Sequence, residues 1–198
     1  TIVHDYPIPG IIFRDITTLL EDPEAFKATV DIMIEKVSDL SFDKIVGVES
    51  RGFFWAAPIA YALSKPFILA RKPGKLPRRT VSKPFTLEYG KNSVHIHADS
   101  VHKGDIILIV DDLIATGGTA IATASLCQEL GATTIHTLSL IDLPELTSIE
   151  TKASVGFITK YPPEFNLTCV SKISLSLLSI FSLKKRGILS LYFFIFLT

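Results

Sequence analysis

Short apolar runs alternate with stretches of helical spacing along most of this chain. Residues 23–38, PEAFKATVDIMIEKVS, set Phe26, Val30, Met33, Ile34 and Val37 at three- and four-residue intervals and predict an amphipathic helix beginning near Pro23. KIVGVES (44–50) reads as a short strand, GFFWAAPIAYAL (52–63) as an apolar helix opening at Gly52, and PFILARK (66–72) as another strand. The segment 71–84, RKPGKLPRRTVSKP, has no periodicity and predicts a long mobile loop, which in a compact domain is usually functional. FTLEYG and SVHIH predict a hairpin around Gly90, Lys91 and Asn92. A strand at 106–110, a helix at 118–130 closed by Gly131 and a strand at 134–141 complete the pattern. Strands alternating with helices at this pitch predict an α/β fold, a parallel β-sheet flanked by helices. The opening VHDYPIPGIIFRDITTLL is punctuated by Pro7, Pro9 and Gly10 and reads as a loop or hood.

Length changes this picture little: 198 residues support one good-sized core and hence one domain. Hydrophobic residues make up 47% and charged residues 20%, as in an ordered globular protein. Twenty basic and twenty acidic residues cancel, so the net charge offers no nucleic-acid footprint; a small anion, held by a local group of donors, remains compatible. Cys127 and Cys169 form neither a disulfide framework nor a metal-ligand spacing, and Cys127 reads as a buried thiol of a reducing compartment. His95, His97, His102 and His136 read as surface or packed residues. The start carries no basic-then-apolar leader pattern. Residues 162–198 are different in kind. Lys184, Lys185 and Arg186 divide two apolar runs, each shorter than the roughly 20 residues of a spanning helix, which disfavours a membrane anchor.

The chemistry concentrates in IILIVDDLIATGGTA (106–120), an apolar strand that ends on two acids and runs into a glycine loop. In open α/β sheets, ligands bind beyond the carboxyl ends of the strands. The amides of Ala115, Thr116, Gly117, Gly118 and Thr119, with the N-terminus of the next helix, would make a nest for a phosphate dianion. Asp111 and Asp112 would repel that dianion. Their partners are sugar hydroxyls, a divalent cation or developing positive charge, and with the loop they describe a ribose 5-phosphate site. The string fits neither the Walker loop nor the dinucleotide G-x-G-x-x-G fingerprint.

This string resembles the phosphoribosyl diphosphate (PRPP) motif of type I phosphoribosyltransferases. The ordered set PGIIFRDIT, GVESRGF, RKPGKLP, LEYG and VDDLIATGGT resembles the adenine phosphoribosyltransferase family, over residues 1 to about 150 and, more weakly, to about 161. The resemblance implies a Rossmann-like core with an N-terminal hood (1–20) and a mobile β-hairpin loop, in a domain spanning 1–161. It implies transfer of the phosphoribosyl group of PRPP to adenine, giving AMP and pyrophosphate in purine salvage. Asp111 and Asp112 would hold the ribose hydroxyls near the developing cation, and 115–119 would hold the 5′-phosphate. Glu49, Ser50, Arg51 and Gly52 would form the pyrophosphate loop, with Arg71, Lys72 and Lys75 closing over the diphosphate. Glu88, beside Tyr89, would be the general acid at the purine N7, and Ile12, Phe13 and Arg14 would meet the adenine. Mg²⁺ would arrive with the substrate phosphates, needing no dedicated protein cage beyond possible contact with Asp111 and Asp112.

A cytoplasmic homodimer is implied as well, since basic residues of the mobile loop can serve a neighbouring subunit in this family. Departures are the lack of the helix usual ahead of the hood, extra basic residues Arg79 and Lys83, and Phe85 where tyrosine is common. Two rival readings stay open: a phosphoribosyltransferase for hypoxanthine, guanine or xanthine, and a non-catalytic PRPP-binding regulator. The latter often carries a DNA-binding domain, for which this sequence has no signal.

Overall fold

Nine strands and four helices are arranged around one parallel sheet in the computed structural model, which describes residues 1–87, 90–142 and 167–170. The sheet is built from β3 (Lys44–Val48), β4 (Phe67–Ala70), β7 (Ile106–Ile114), β8 (Thr134–Asp142) and β9 (Leu167–Val170) in the order β4-β3-β7-β8-β9. Every neighbouring pair is parallel. Strands buried on both faces should be near-continuous apolar runs, and the expected α/β architecture follows from them. Within β3 and β7 successive residues point to opposite faces. Ile45, Leu108 and Val110 pack on one side with α2 (Pro23–Lys36) and α3 (Phe53–Ala62). Val46, Val48, Ile107 and Ile109 pack on the other with Ala122, Leu126 and Cys127 of α4 (Gly118–Glu129). Burial alone pushes the Cys127 thiol up to about 12, so it stays an inert core residue.

The helix α2 forms where the periodicity predicts it. Asp22 caps it, its carboxylate accepting from the Glu24 and Ala25 amides at 3.1 and 3.0 Å, and Pro23 occupies the first turn. Val30, Met33 and Val37 are buried, and Phe26 lies 5.4 Å from the Trp55 ring of α3. At the other end of the chain order, α4 starts on Gly117, whose left-handed backbone (φ 82°) turns the strand sharply into the helix.

Two small sheets flank this core. The hood is a hairpin of β1 (Ile2–His4) and β2 (Ile12–Arg14), followed by the one-turn helix α1 (Thr17–Leu20). The second is β5 (Thr80–Leu87) against β6 (Gly90–His97). Here the expected loop 71–84 is too long. Thr80 to Pro84 belong to β5, because β-branched Thr80 and Val81 pair with His97 and Ile96, and Val81 and Phe85 pack on the core. Pro84 is tolerated because a two-stranded hairpin has free edges. Lys83, one of the two extra basic residues, has its own partner, as does the neighbouring Arg78. Arg78 pairs with Asp99, and Lys83 with Glu129 of α4. β9 lies within the segment 162–198, as an edge strand beside β8. Among the described residues no helix is long and apolar enough to cross a membrane.

Gly47 of β3 faces α3 at close range: a Cβ there would lie 2.6 Å from the Phe67 ring and 2.8 Å from the Ala56 methyl. The expected outcome for Gly47→Ala is a loss of about 1–3 kcal/mol from overpacking, read as a lower urea midpoint at unchanged slope.

Candidate functional site

The register of the parallel strands brings three of the predicted site segments, 49–52, 71 onward and 111–112, to one rim. Val48 pairs with Ala70, and Gly47 with Val110, so β4 and β3 end side by side next to Val110 of β7, which continues past them. The segments leaving them are Arg71 onward, Glu49 to Gly52, and Asp111 onward. The loop 49–52 sits tightly between its neighbours. A Cβ on Gly52 would lie 2.7 Å from the Val48 carbonyl, 2.8 Å from the Val110 carbonyl and 2.9 Å from Asp111 Oδ1. Glycine is required there by close approach, a reason separate from anion binding. The Glu49–Ser50 peptide is cis.

Asp111 and Asp112 belong to β7, which runs to Ile114 where the sequence pattern suggested an end at 110. Asp111 Oδ1 accepts from the Asp112 amide at 2.8 Å. Asp112 is buried, and Arg51 Nε lies 2.8 Å from its Oδ2. That contact is an ion pair rather than an aligned hydrogen bond, since the same oxygen makes none. Burial raises the Asp111 carboxyl well above the usual carboxylate range, and the Asp112 charge adds to the rise. Burial also raises Asp112, with Arg51 opposing it. Two acids held against their solvation preference mark a site built for a polar or cationic partner.

Beyond Ile114 the chain enters Ala115 and Thr116, then left-handed Gly117, then α4 from Gly118 and Thr119. The N-terminus of α4, with its helix-terminal amides, therefore follows the two acids within a few residues of chain. Among the described residues no group of three or more His, Cys, Asp or Glu could hold a metal ion.

Glu49 and Arg71 meet across 22 residues of sequence. The Glu49 carboxylate accepts from Arg71 at 3.2 Å (Nε) and 3.1 Å (Nη2), and from the Lys72 amide at 2.8 Å. Burial alone would raise Glu49; the Arg71 and Lys72 hydrogen bonds and the charges of Arg71 and Lys75 outweigh it and hold the carboxyl below its ordinary value. Lys72 and Lys75 are exposed. On the hood side, Phe13 stands edge-on to Tyr6, with ring centroids 5.1 Å apart, and 5.2 Å beneath the Arg51 guanidinium. Ile12 is exposed. Arg14 Nε is buried and makes no hydrogen bond among the described residues. Glu88 and Tyr89 lie outside the described residues, between β5 and β6.

Three participants had no signal in the sequence pattern. Tyr6 braces Phe13, and Asp15, held low by hydrogen bonds from the Thr17 amide and hydroxyl, adds a charge near Arg51. His95, expected to be surface or packed, bridges the site through its backbone: its amide and carbonyl pair with those of Arg71 at 2.8 and 2.9 Å. Pairings of this separation leave no local pattern to read.

Known proteins resemble this arrangement throughout. The family model described as phosphoribosyl transferase domain matches residues 15–165. An adenine phosphoribosyltransferase of Haemophilus influenzae (strain PittEE) is 54% identical over 144 residues, 73% of this chain and 80% of that protein. That of Mannheimia succiniciproducens is 51% identical over 154 residues, 78% of this chain and 86% of that protein. Among solved structures, the adenine phosphoribosyltransferase of Thermoanaerobacter pseudethanolicus superimposes with a TM-score of 0.73 at 37% identity, covering 86% of this chain and 93% of that one. The Saccharomyces cerevisiae enzyme, complexed with adenine and an imino-altritol bisphosphate, gives 0.72 at 28% identity, covering 86% and 93%. Similarity of this extent, in sequence and in backbone, makes the chain a member of the phosphoribosyltransferase family and of its adenine phosphoribosyltransferase branch.

Proposed function

We propose that this chain transfers the 5-phosphoribosyl group of PRPP to adenine, giving AMP and pyrophosphate, as an enzyme of purine salvage. The observation that carries the reading is the shared rim: a loop ending in Arg51 and Gly52 packed against the acids Asp111 and Asp112, which run in sequence into the N-terminus of α4. The bond from the anomeric carbon to the diphosphate oxygen breaks, and one to adenine N9 forms. Positive charge develops on the sugar between them, so positioning and electrostatics account for most of the acceleration. Asp111 and Asp112 face that charge and accept from the ribose 2′- and 3′-hydroxyls. The amides of 115–119 hold the 5′-phosphate, while Arg51, Lys72 and Lys75 balance the departing diphosphate. Glu88 exchanges the N7 proton of the base, accepting it during AMP synthesis and returning it in reverse. Phe13 offers adenine a ring face beside the Ile12 and Arg14 backbone.

Magnesium fits this donor set. Both site carboxylates are oxygen donors, and Asp112 Oδ2, buried without an aligned hydrogen bond, has a lone pair to offer. When bound with the diphosphate it would supply neutralising charge. The reading goes with a cytoplasmic homodimer. Phe54 and Tyr61, exposed by 45% and 89% and seven residues apart on α3, give a second copy an aromatic face to bury. Light scattering is expected to give twice the chain mass; a monomer at micromolar concentration would refute the dimer.

Labelled adenine with PRPP and Mg²⁺ is expected to yield labelled AMP, with little competition from hypoxanthine or guanine and loss of activity in excess chelator. Turnover of hypoxanthine but not adenine would overturn the base assignment. PRPP binding with no turnover of any base would favour the regulator.

Asp111→Asn is expected to lower turnover by about 10²–10³-fold, as when one preorganised electrostatic partner is removed. Glu88→Gln should lower it by about 10²-fold. Because the native state raises the Asp111 pKa, ionising that carboxyl costs stability above the raised value and nothing below the ordinary one. Ligand-free Asp111→Asn should therefore melt higher than wild type at pH 7, the gain fading as pH falls through that window. A lower melting temperature at pH 7 would contradict the raised pKa.

A further inference from the structure

Glu49 is a carboxylate in a loop read as holding pyrophosphate, where its charge opposes the ligand's. Its contacts point elsewhere. Two of its three hydrogen bonds come from the Arg71 fork and the third from the Lys72 amide. Arg71 in turn donates Nη1 to the Lys75 carbonyl at 3.0 Å, and Gly74, at φ 73°, supplies the turn that brings Lys75 back. The Arg71 backbone is bridged to His95 of β6, the hairpin whose far end carries Glu88.

We infer that Glu49 is a positioning residue: it holds Arg71, and through it shapes the basic turn 71–75, so that Lys72 and Lys75 are presented to the diphosphate without Glu49 touching it. The inference rests on the PRPP reading of the rim and deepens it. A bidentate pair between a fork and a carboxylate fixes direction as well as distance. With Nε, Nη1 and Nη2 each engaged, the guanidinium has one orientation, and the turn it ties has one shape. The carboxylate held below its ordinary pKa stays charged through the neutral range and keeps the fork closed. Replacing it by an amide removes the charge and leaves one accepting oxygen for three donors.

The test is a double-mutant cycle in the full chain, reading PRPP dissociation constants by calorimetry beside KM and kcat with adenine. Glu49→Gln alone is expected to weaken PRPP binding about tenfold, the size of a charge-assisted hydrogen bond, and to raise KM for PRPP more than it lowers kcat. In an Arg71→Met background the same change should cost nothing further, or improve binding, since the unpaired carboxylate then only repels the diphosphate. An equal loss in both backgrounds would overturn the inference, as would no loss in the single variant. So would a loss that tracks a fall in melting temperature in both backgrounds, which marks a merely structural role. A wild-type chain that neither binds PRPP nor converts adenine would instead bring down the functional reading on which this rests.

Discussion

The contact on which the rest of the site depends is the close passage of the loop 49–52 over Val110 and Asp111 of β7. Gly52 lies where any side chain would strike the Val48 and Val110 carbonyls and the Asp111 carboxylate, all within 2.9 Å. With hydrogen there instead, the end of β3 lies against Val110 and Asp111 of β7, and Arg51 reaches Asp112 at 2.8 Å. Separating the loops by one methyl group would part Arg51 from Asp111 and Asp112. A glycine packed this closely therefore sets the spacing of the guanidinium and the two carboxylates at once.

The second constraint is electrostatic. Asp111 and Asp112 are adjacent, partly or wholly buried and pushed toward neutrality, with Arg51 the cation against Asp112. Such a cluster is costly in the ligand-free fold, because buried charge is stabilised only by partners of good geometry. It is well matched to a sugar bearing hydroxyls, transient positive charge and an accompanying divalent ion. Glu49 and Arg71 show the opposite case, a complete pair whose carboxylate falls below its ordinary range. One rim thus holds an acid pair pushed toward neutrality beside an arginine–carboxylate pair with its hydrogen bonds complete. Arg51 links the first to the hood through Phe13, and Arg71 links the second to the hairpin through His95.

Much of this was legible in the sequence, for reasons that differ by element. Continuous apolar runs such as IVGV and IILIV leave a strand buried on both faces little alternative, and the α2 stripe closed by Asp22 and Pro23 is equally direct. The start of β5 was not legible. Lysine, arginine and proline gave 71–84 the look of a loop, and the packing of Val81 and Phe85 on the core outweighed that local pattern. The continuation of β7 through Asp111 and Asp112 was hidden likewise, because partners on β8, Ser139 and Ile141 among them, extend the ladder past the apolar run.

The chain by itself determined the chemistry on offer: two acids after a strand, glycines where a backbone must turn or approach, and basic residues in a proline-rich segment. Those are properties of residue type and short spacing, and they survive without a fold. Tertiary structure alone decided which charges face which. Glu49 meets Arg71, Arg51 meets both Asp112 and Phe13, and His95 anchors the turn, because strand register and the packing of the hood and hairpin join segments 22 to 61 residues apart. Local sequence carries no record of such pairings; tertiary packing does.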